Sequence, residues 1–351
     1  MSRAHVAMAG FALRVRQERP RIAAKKPREL VFALMYSAIV CVGPGEKELF
    51  RLRELLKSLV LHESRFLERL IVVDDATEQR ELSETILDLL PAAQCLVLHN
   101  PRRSQGDAWR GGLTANTLFA MAEGLASTTR SEYFLRLDPD SLIIAPFFAR
   151  VREFFAQHAR CGVVGSCYRI DLCGQPTPRS TWEARLKKLH RWIRIRRNPF
   201  LHLEHSLFDS RREVREIISA ALSASTSGKV HGYRLGSNAQ GGGFAIRREL
   251  LNDLRSRGWL NGRIWLETEI GDDVVLSLLA TAAGWEVEDF NRPGEVFGVQ
   301  YQGLSGTPEE LVAAGYGIVH SLKSPSWENE LQVRESFRRL TCSTPGGDRA
   351  S

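Results

Sequence analysis

Apolar runs of strand length alternate with stretches of helical periodicity through the first half of the chain, and this alternation most restricts the folds open to it. The runs are "VFALMYSAIVCV" (31–42), "RLIVVDD" (69–75), "QCLVLHN" (94–100), "YFLRLD" (133–138) and "CGVVGSCY" (161–168). Between them Leu49, Leu52, Leu56 and Leu59, and later Leu118, Met121 and Leu125, recur at the three-to-four spacing of a helix face. Nearly continuous apolar strands separated by helices predict an α/β fold with a mostly parallel sheet covered on both faces. In such sheets ligands bind beyond the carboxyl ends of the strands. Asp74 and Asp75 end one run, while Asp138 and Asp140 end another, so both pairs are expected to project into one crevice.

The pattern changes after about residue 174. "TWEARLKKLHRWIRIRRNPF" is strongly basic and helical in period, and "SRREVREIISAALSA" is a second helical stretch. Together they predict a helical lobe inserted over 176–236. The sheet pattern resumes at "GGGFAIRREL" (241–250), and "GDDVVLSLLATAAGW" (271–285) reads as a helix with an acidic start. The basic leader 1–28 and the residues from about 343 carry no packing pattern.

Composition narrows the function classes. The formal net charge is +7, but residues 1–30 hold eight Lys/Arg against Glu18 and Glu29, which leaves the remaining body nearly neutral. Nucleic acid is therefore not an expected partner. The cysteines at 41, 95, 161, 167, 173 and 342 form no C-x-x-C pair, so neither a zinc site nor a disulfide framework is expected, and a reducing cytoplasm fits best. The run at 31–42 is too short to span a bilayer and reads as a buried strand.

Ionised groups beside a greasy strand need a reason. Asp138 and Asp140 flank one proline, and two carboxylates so placed can present oxygens to Mg²⁺ or Mn²⁺ and leave positions open for phosphate. Asp-Pro-Asp-Ser is also good turn chemistry that needs no metal. Asp74 and Asp75 admit a similar pair of readings, a ligand contact or an Asx turn after the strand. Gly241, Gly242 and Gly243 allow close backbone approach to a sugar or pyrophosphate, or a tight entry into a strand.

In order and approximate spacing, "VVDDAT", "RLDPDSLI", "QGGGFAIRREL", "GDDVVLSL" and "GIVHSLK" resemble the GT-A fold nucleotide-sugar glycosyltransferases, family-2-like members in particular, over roughly residues 31–323. The resemblance implies a Rossmann-like nucleotide-sugar-binding half (29–175), an acceptor and catalytic half (237–325) and a C-terminal tail (326–351). It implies that Asp75, with Asp74 beside it, reads the nucleotide base, and that Asp138 and Asp140 meet ribose, metal and diphosphate. His320 would be the third metal ligand, and Lys323 a phosphate contact. Arg102, Arg103 and Arg110, in "HNPRRSQGDAWRGGLTAN", stand where relatives pack over the nucleotide and could reach phosphate. Asp273 would be the general base of an inverting transfer, with Asp272 beside it.

The implied partners are a nucleoside-diphosphate sugar donor and a glycan or lipid-linked acceptor, with Mn²⁺ or Mg²⁺ as cofactor. Residues 182–197 carry seven Lys/Arg, with Trp182, Leu186, Leu189 and Ile193 at helical spacing. That stripe could dock on the inner face of an anionic membrane, or pack on the catalytic domain with its charge solvated. A nucleotidyltransferase on sugar phosphates and a non-catalytic membrane-associated binding module are the rival readings. The first is disfavoured because "GPGEKELF" lacks a Gly-rich basic signature after the first strand.

Overall fold

The computed structural model describes residues 34–80, 82, 86–167, 209–226, 238–268 and 270–342. The basic leader, residues 182–197 and most of the lobe expected at 176–236 lie outside them.

The apolar runs are the strands. β1 (Met35–Val42) is buried along its whole length, with β2 (Leu67–Asp74) and β4 (Ser131–Leu137) parallel to it on either side, and β3 (Cys95–His99) pairs in parallel with β2. β-Branched and other apolar side chains leave β1 no solvent face, as a central parallel strand requires. The buried Ser37 hydroxyl is paired with that of Ser131 at 2.7 Å, and the Tyr36 hydroxyl donates to the Glu63 carbonyl at 3.4 Å. β6 (Cys161–Gly165), β7 (Gly243–Arg247) and β8 (Glu286–Asp289) complete a seven-stranded sheet in the order β3-β2-β1-β4-β7-β6-β8. β7 runs antiparallel to both neighbours.

A second, three-stranded sheet joins β5 (Leu142–Ile143), β9 (Phe297–Val299) and β10 (Ile318–His320), with β10 central.

Helices cover both faces of the large sheet. α1 (Glu46–Glu63) lays Leu52, Leu55, Leu56 and Leu59 on one face, together with α3 (Phe148–Gln157). Each fully buried leucine contributes roughly 2 kcal/mol of transfer free energy. The other face takes α2 (Gly111–Ser127), α5 (Arg248–Ser256), α6 (Asp272–Ala282) and α4 (Asp209–Thr226), whose Val214, Ile217, Ile218 and Ala221 enter the same core. α4 falls within the second helical stretch of the expected lobe.

α7 (Pro308–Ala313) starts in a capping box between Thr307 and Glu310. α8 (Trp327–Cys342) occupies most of the segment read as a tail. Its Phe337 joins Leu311 and Tyr316 in a third core cluster, and Glu330 is buried against Arg51 of α1, at 2.5 and 2.8 Å, and Arg334, at 3.0 Å. Hydropathy counts Glu330 and Arg334 as surface residues, whereas their mutual pairing lets both be buried.

Candidate active site

The topology explains why distant stretches of sequence meet at one edge. Because β1, β2 and β4 are parallel, Gly43, Asp75 and Asp138 follow them on the same side of the sheet. Because β7 is antiparallel to β4, pairing Leu137 with Gly243, it begins where β4 ends, and this sets Gly241 and Gly242 beside Asp138. Asp138 is followed by a tight turn, with Ser141 N donating to Asp138 O at 3.1 Å, which leads into β5. β5 pairs antiparallel with β10, Leu142 opposite Val319, so His320 arrives at Ser141 and Asp140. The turn chemistry and the clustered carboxylates are therefore both present.

His320 Nε2 lies 3.3 Å from Asp140 Oδ2 and 3.5 Å from Asp138 Oδ2. One potential ligand atom from each of the three residues can be chosen so that all lie within 4.8 Å of one another. His320 Nδ1 is 2.7 Å from the Gln300 carbonyl oxygen, which places a hydrogen on Nδ1 and turns Nε2 toward the carboxylates. Asp140 is buried; its Oδ2 accepts from the Ser321 hydroxyl at 2.5 Å, while its Oδ1 is buried without a hydrogen-bond partner, with Lys323 Nζ at 3.6 Å. An unsatisfied buried carboxylate oxygen beside a second carboxylate and an oriented imidazole is a donor set that fits Mn²⁺ or Mg²⁺.

The electrostatics agree. Burial opposes charge on both groups, yet the adjacent His320 holds the Asp140 carboxyl well below its usual range. Burial likewise lowers His320, but Asp140 and then Asp138 raise its pKa above 6.5.

Gly242 has φ +104°, a conformation L side chains rarely adopt, and a Cβ there would overlap the His320 imidazole. Its carbonyl accepts from Asp138 N at 3.1 Å and from the Ser141 hydroxyl at 2.5 Å. Gly242 thus packs against the histidine and braces the turn. Gly243 is the first residue of β7, and a Cβ there would come within 3.2 Å of Val299.

Asp272 and Asp273 open α6, but the N-cap is Gly271. Asp272 is buried, accepts from the Thr117 hydroxyl at 2.9 Å, and lies 2.8 Å from Arg136 Nη2. Burial raises the Asp272 pKa, partly offset by Arg136. Asp273 Oδ2 accepts from Asn238 Nδ2 at 2.9 Å and from Gly241 N at 3.3 Å. The adjacent residues Gly241 and Gly242 therefore touch Asp273 on one side and the histidine-carboxylate cluster on the other.

The two aspartates after β2 are engaged. Asp74 pairs with Arg80, whose guanidinium also donates to the Gly43 and Pro44 carbonyls at 3.0 Å, and Asp74 Oδ1 accepts from Ala76 N at 3.2 Å in an Asx turn. Asp75 is held by Arg102 through two bonds, 2.6 and 2.8 Å, and by Asn116 at 2.8 Å. Arg102 is thus a buried partner of Asp75. Arg103 has a left-handed backbone (φ +53°) and an exposed side chain, and Arg110 is the N-cap residue of α2. Lys323 also lies 3.4 Å from Glu48 and 5.2 Å from the ring centre of Trp109, an indole 72% exposed.

Sequence reasoning missed Arg136 and Gln300. The signal for Arg136 was an arginine inside the apolar run "YFLRLD"; Gln300 acts through its backbone and leaves no side-chain signal.

Among the described residues, no helix is long and apolar enough to cross a membrane. No protein-family model and no curated protein matches the chain. Solved structures similar to it include a galactosyltransferase, LgtC, in complex with donor and acceptor sugar analogs, at 12% identity and a TM-score of 0.44, covering 89% of this chain and 98% of that one. GalNAc-T7 with UDP, GalNAc and Mn²⁺ is similar at 14% identity and a TM-score of 0.42, covering 90% of this chain and 52% of that one. TarS from S. aureus is similar at 21% identity and a TM-score of 0.29; the match covers 42% of this chain and only 24% of TarS. At these identities and scores they are what the chain is similar to, and its chemistry has to come from its own residues.

Proposed function

We propose that this chain is a glycosyltransferase that moves a sugar from a nucleoside-diphosphate donor to an acceptor hydroxyl, with inversion and with a divalent cation. The observation that carries this reading is the Gly241–Gly242 pair, which connects Asp273 to the Asp138, Asp140 and His320 cluster at the carboxyl edge of the sheet. A base and a cation site so close together suit a reaction in which a hydroxyl attacks while a diphosphate leaves.

Asp138, Asp140 and His320 would hold Mn²⁺ or Mg²⁺, which when bound supplies a Lewis acid for the departing diphosphate. Lys323, beside Asp140, adds a positive charge for phosphate. The base lies over the Asp74 and Asp75 end of β2, with Asp75 kept in place by Arg102; Arg103 and Arg110 offer further phosphate donors from the same loop. Gly242 leaves room for the His320 ring and Gly243 for Val299, so the two glycines shape the cation site through packing. Asp273 takes the acceptor proton, and Asp272 fixes the start of the helix that carries it. A reducing cytoplasm, a glycan or lipid-linked acceptor, and a peripheral membrane contact through residues 182–197 in place of packing on the catalytic domain complete the reading.

A thermal-shift screen of nucleoside diphosphates and their sugars, with and without Mn²⁺, tests it. Mass action requires a true ligand to raise the melting temperature. Stabilisation by a diphosphate sugar only with Mn²⁺, followed by a glycosylated product in mass spectrometry, is the expected result. A flat screen refutes it.

A further inference from the structure

Arg136 is fully buried in β4, on the same sheet face as Phe134, where an unpaired guanidinium would be very costly. Burial opposes its charge, but Asp138 and then Asp272 hold it protonated. Nη1 donates to Asp138 Oδ1, and Nη2 lies 2.8 Å from Asp272 Oδ2 as an ion pair without aligned hydrogen-bond geometry. Asp138 therefore divides its oxygens, with Oδ1 on the arginine and Oδ2 facing His320 Nε2 at 3.5 Å. On the far side Thr117 of α2 fixes the same Asp272 oxygen at 2.9 Å, and Thr117 is itself 3.7 Å from Cys41 Sγ of β1.

We propose that Arg136 is a positioning residue of the cation site, using its two-pronged guanidinium to aim one oxygen of Asp138 at His320 while tying that carboxylate to the first residue of α6. Fold stability alone does not account for it, since buried ion pairs are commonly matched or bettered by apolar packing. A partner that orients a metal-binding carboxylate does account for it, and such partners typically contribute ten- to a hundredfold in metal affinity. Lysine is a poor substitute, because a single ammonium lacks the planar fork that spans two carboxylates. The inference rests on the cation site of the proposed transferase but not on its sugar chemistry.

The test titrates the full-length protein with Mn²⁺ alone, reading free ion by electron paramagnetic resonance, for wild type, Arg136→Lys, Asp272→Asn and the double variant, with circular dichroism as the check on folding. Arg136→Lys is expected to weaken Mn²⁺ binding by about tenfold or more. Asp272→Asn should weaken it in the same direction although Asp272 is not a ligand, and the double variant should be no weaker than Arg136→Lys, since both act through one bridge. A folded Arg136→Lys protein with wild-type Mn²⁺ affinity and only a lowered melting temperature overturns the proposal. Should Arg136→Lys fail to fold, Asp272→Asn decides, and an unchanged affinity there overturns it equally. Wild type that binds Mn²⁺ but turns over no nucleotide sugar refutes the transferase and leaves the role of Arg136 standing; wild type that binds no Mn²⁺ removes both.

Discussion

His320 Nε2 sits 3.3 Å from Asp140 Oδ2, between residues contributed by the two ends of an antiparallel pairing of β5 and β10. Proton and cation compete for that nitrogen, so the site has a definite pH signature. The carboxylates raise the folded pKa of His320 above 6.5, so in metal-free protein its stabilising contribution is fully present below about 6.5 and is lost as pH rises through the folded value. Mn²⁺ needs the neutral imidazole, so its apparent affinity should climb over the same window and then level off. Melting curves from pH 6 to pH 9, with and without Mn²⁺, should show the metal-free midpoint falling from this contribution while the Mn²⁺-induced shift grows. A Mn²⁺ shift independent of pH would return His320 to a structural role.

Asp140→Ala removes a buried carboxylate whose one oxygen has no hydrogen-bond partner. The expected outcome is loss of Mn²⁺-dependent nucleotide binding with the fold kept, read by calorimetry and circular dichroism. Retained metal dependence would show that the cation binds elsewhere.

Gly242→Ala should impair the site more than its size suggests. The new methyl is strained by φ +104° and must displace the His320 ring, whereas Gly258→Ala, at φ +74° with nothing within 4 Å, is strained alone. Both variants should lose about 1 kcal/mol or more in urea unfolding, but only Gly242→Ala should weaken Mn²⁺ binding, by about tenfold or more. Equal Mn²⁺ titrations would mean that the histidine does not need its place.

Asp273→Asn keeps shape and most donor affinity, yet turnover should fall about a hundredfold or more if the carboxylate takes the acceptor proton. Product analysis should show an anomeric configuration opposite to the donor's. Near-normal turnover, or retention, would exclude the inverting mechanism.

Glu330→Gln strips the charge that two arginines share beneath α8. Burial raises the Glu330 carboxyl, but Arg51 and Arg334 more than offset this and its pKa is lowered, so its stabilisation is present above about 4.5 and lost as pH falls through the folded value. The substitution should cost about 3 kcal/mol in urea unfolding at pH 7, and the gap between variant and wild type should narrow in acid. A loss well under 1 kcal/mol would mean that α8 is held by Phe337 and its neighbours alone.

The sequence by itself determined β1 to β4, β6 and β7, the α/β class and the aspartates at the strand ends, because burial on both faces leaves a continuous apolar run and a carboxylate interrupting one stands out; β5, β8, β9 and β10, of two to four residues each, are too short to leave such a run. It also marked Gly242 and His320 as worth placing. Only the tertiary structure decided what these residues touch. Gly242, read as room for a sugar or a strand entry, packs against the His320 ring; Arg102, read as a phosphate donor, is the clasp of Asp75; and Asp272, read beside a base, is the counterion of Arg136. α8 went unread as a packed element because Glu330 and Arg334 are polar by composition and buried only through partners on α1 and on their own helix. Local pattern reports whether a side chain suits water or core. Which charge neutralises which depends on strand order and register, and the antiparallel insertion of β7 between β4 and β6 sets these only once the whole sheet has formed.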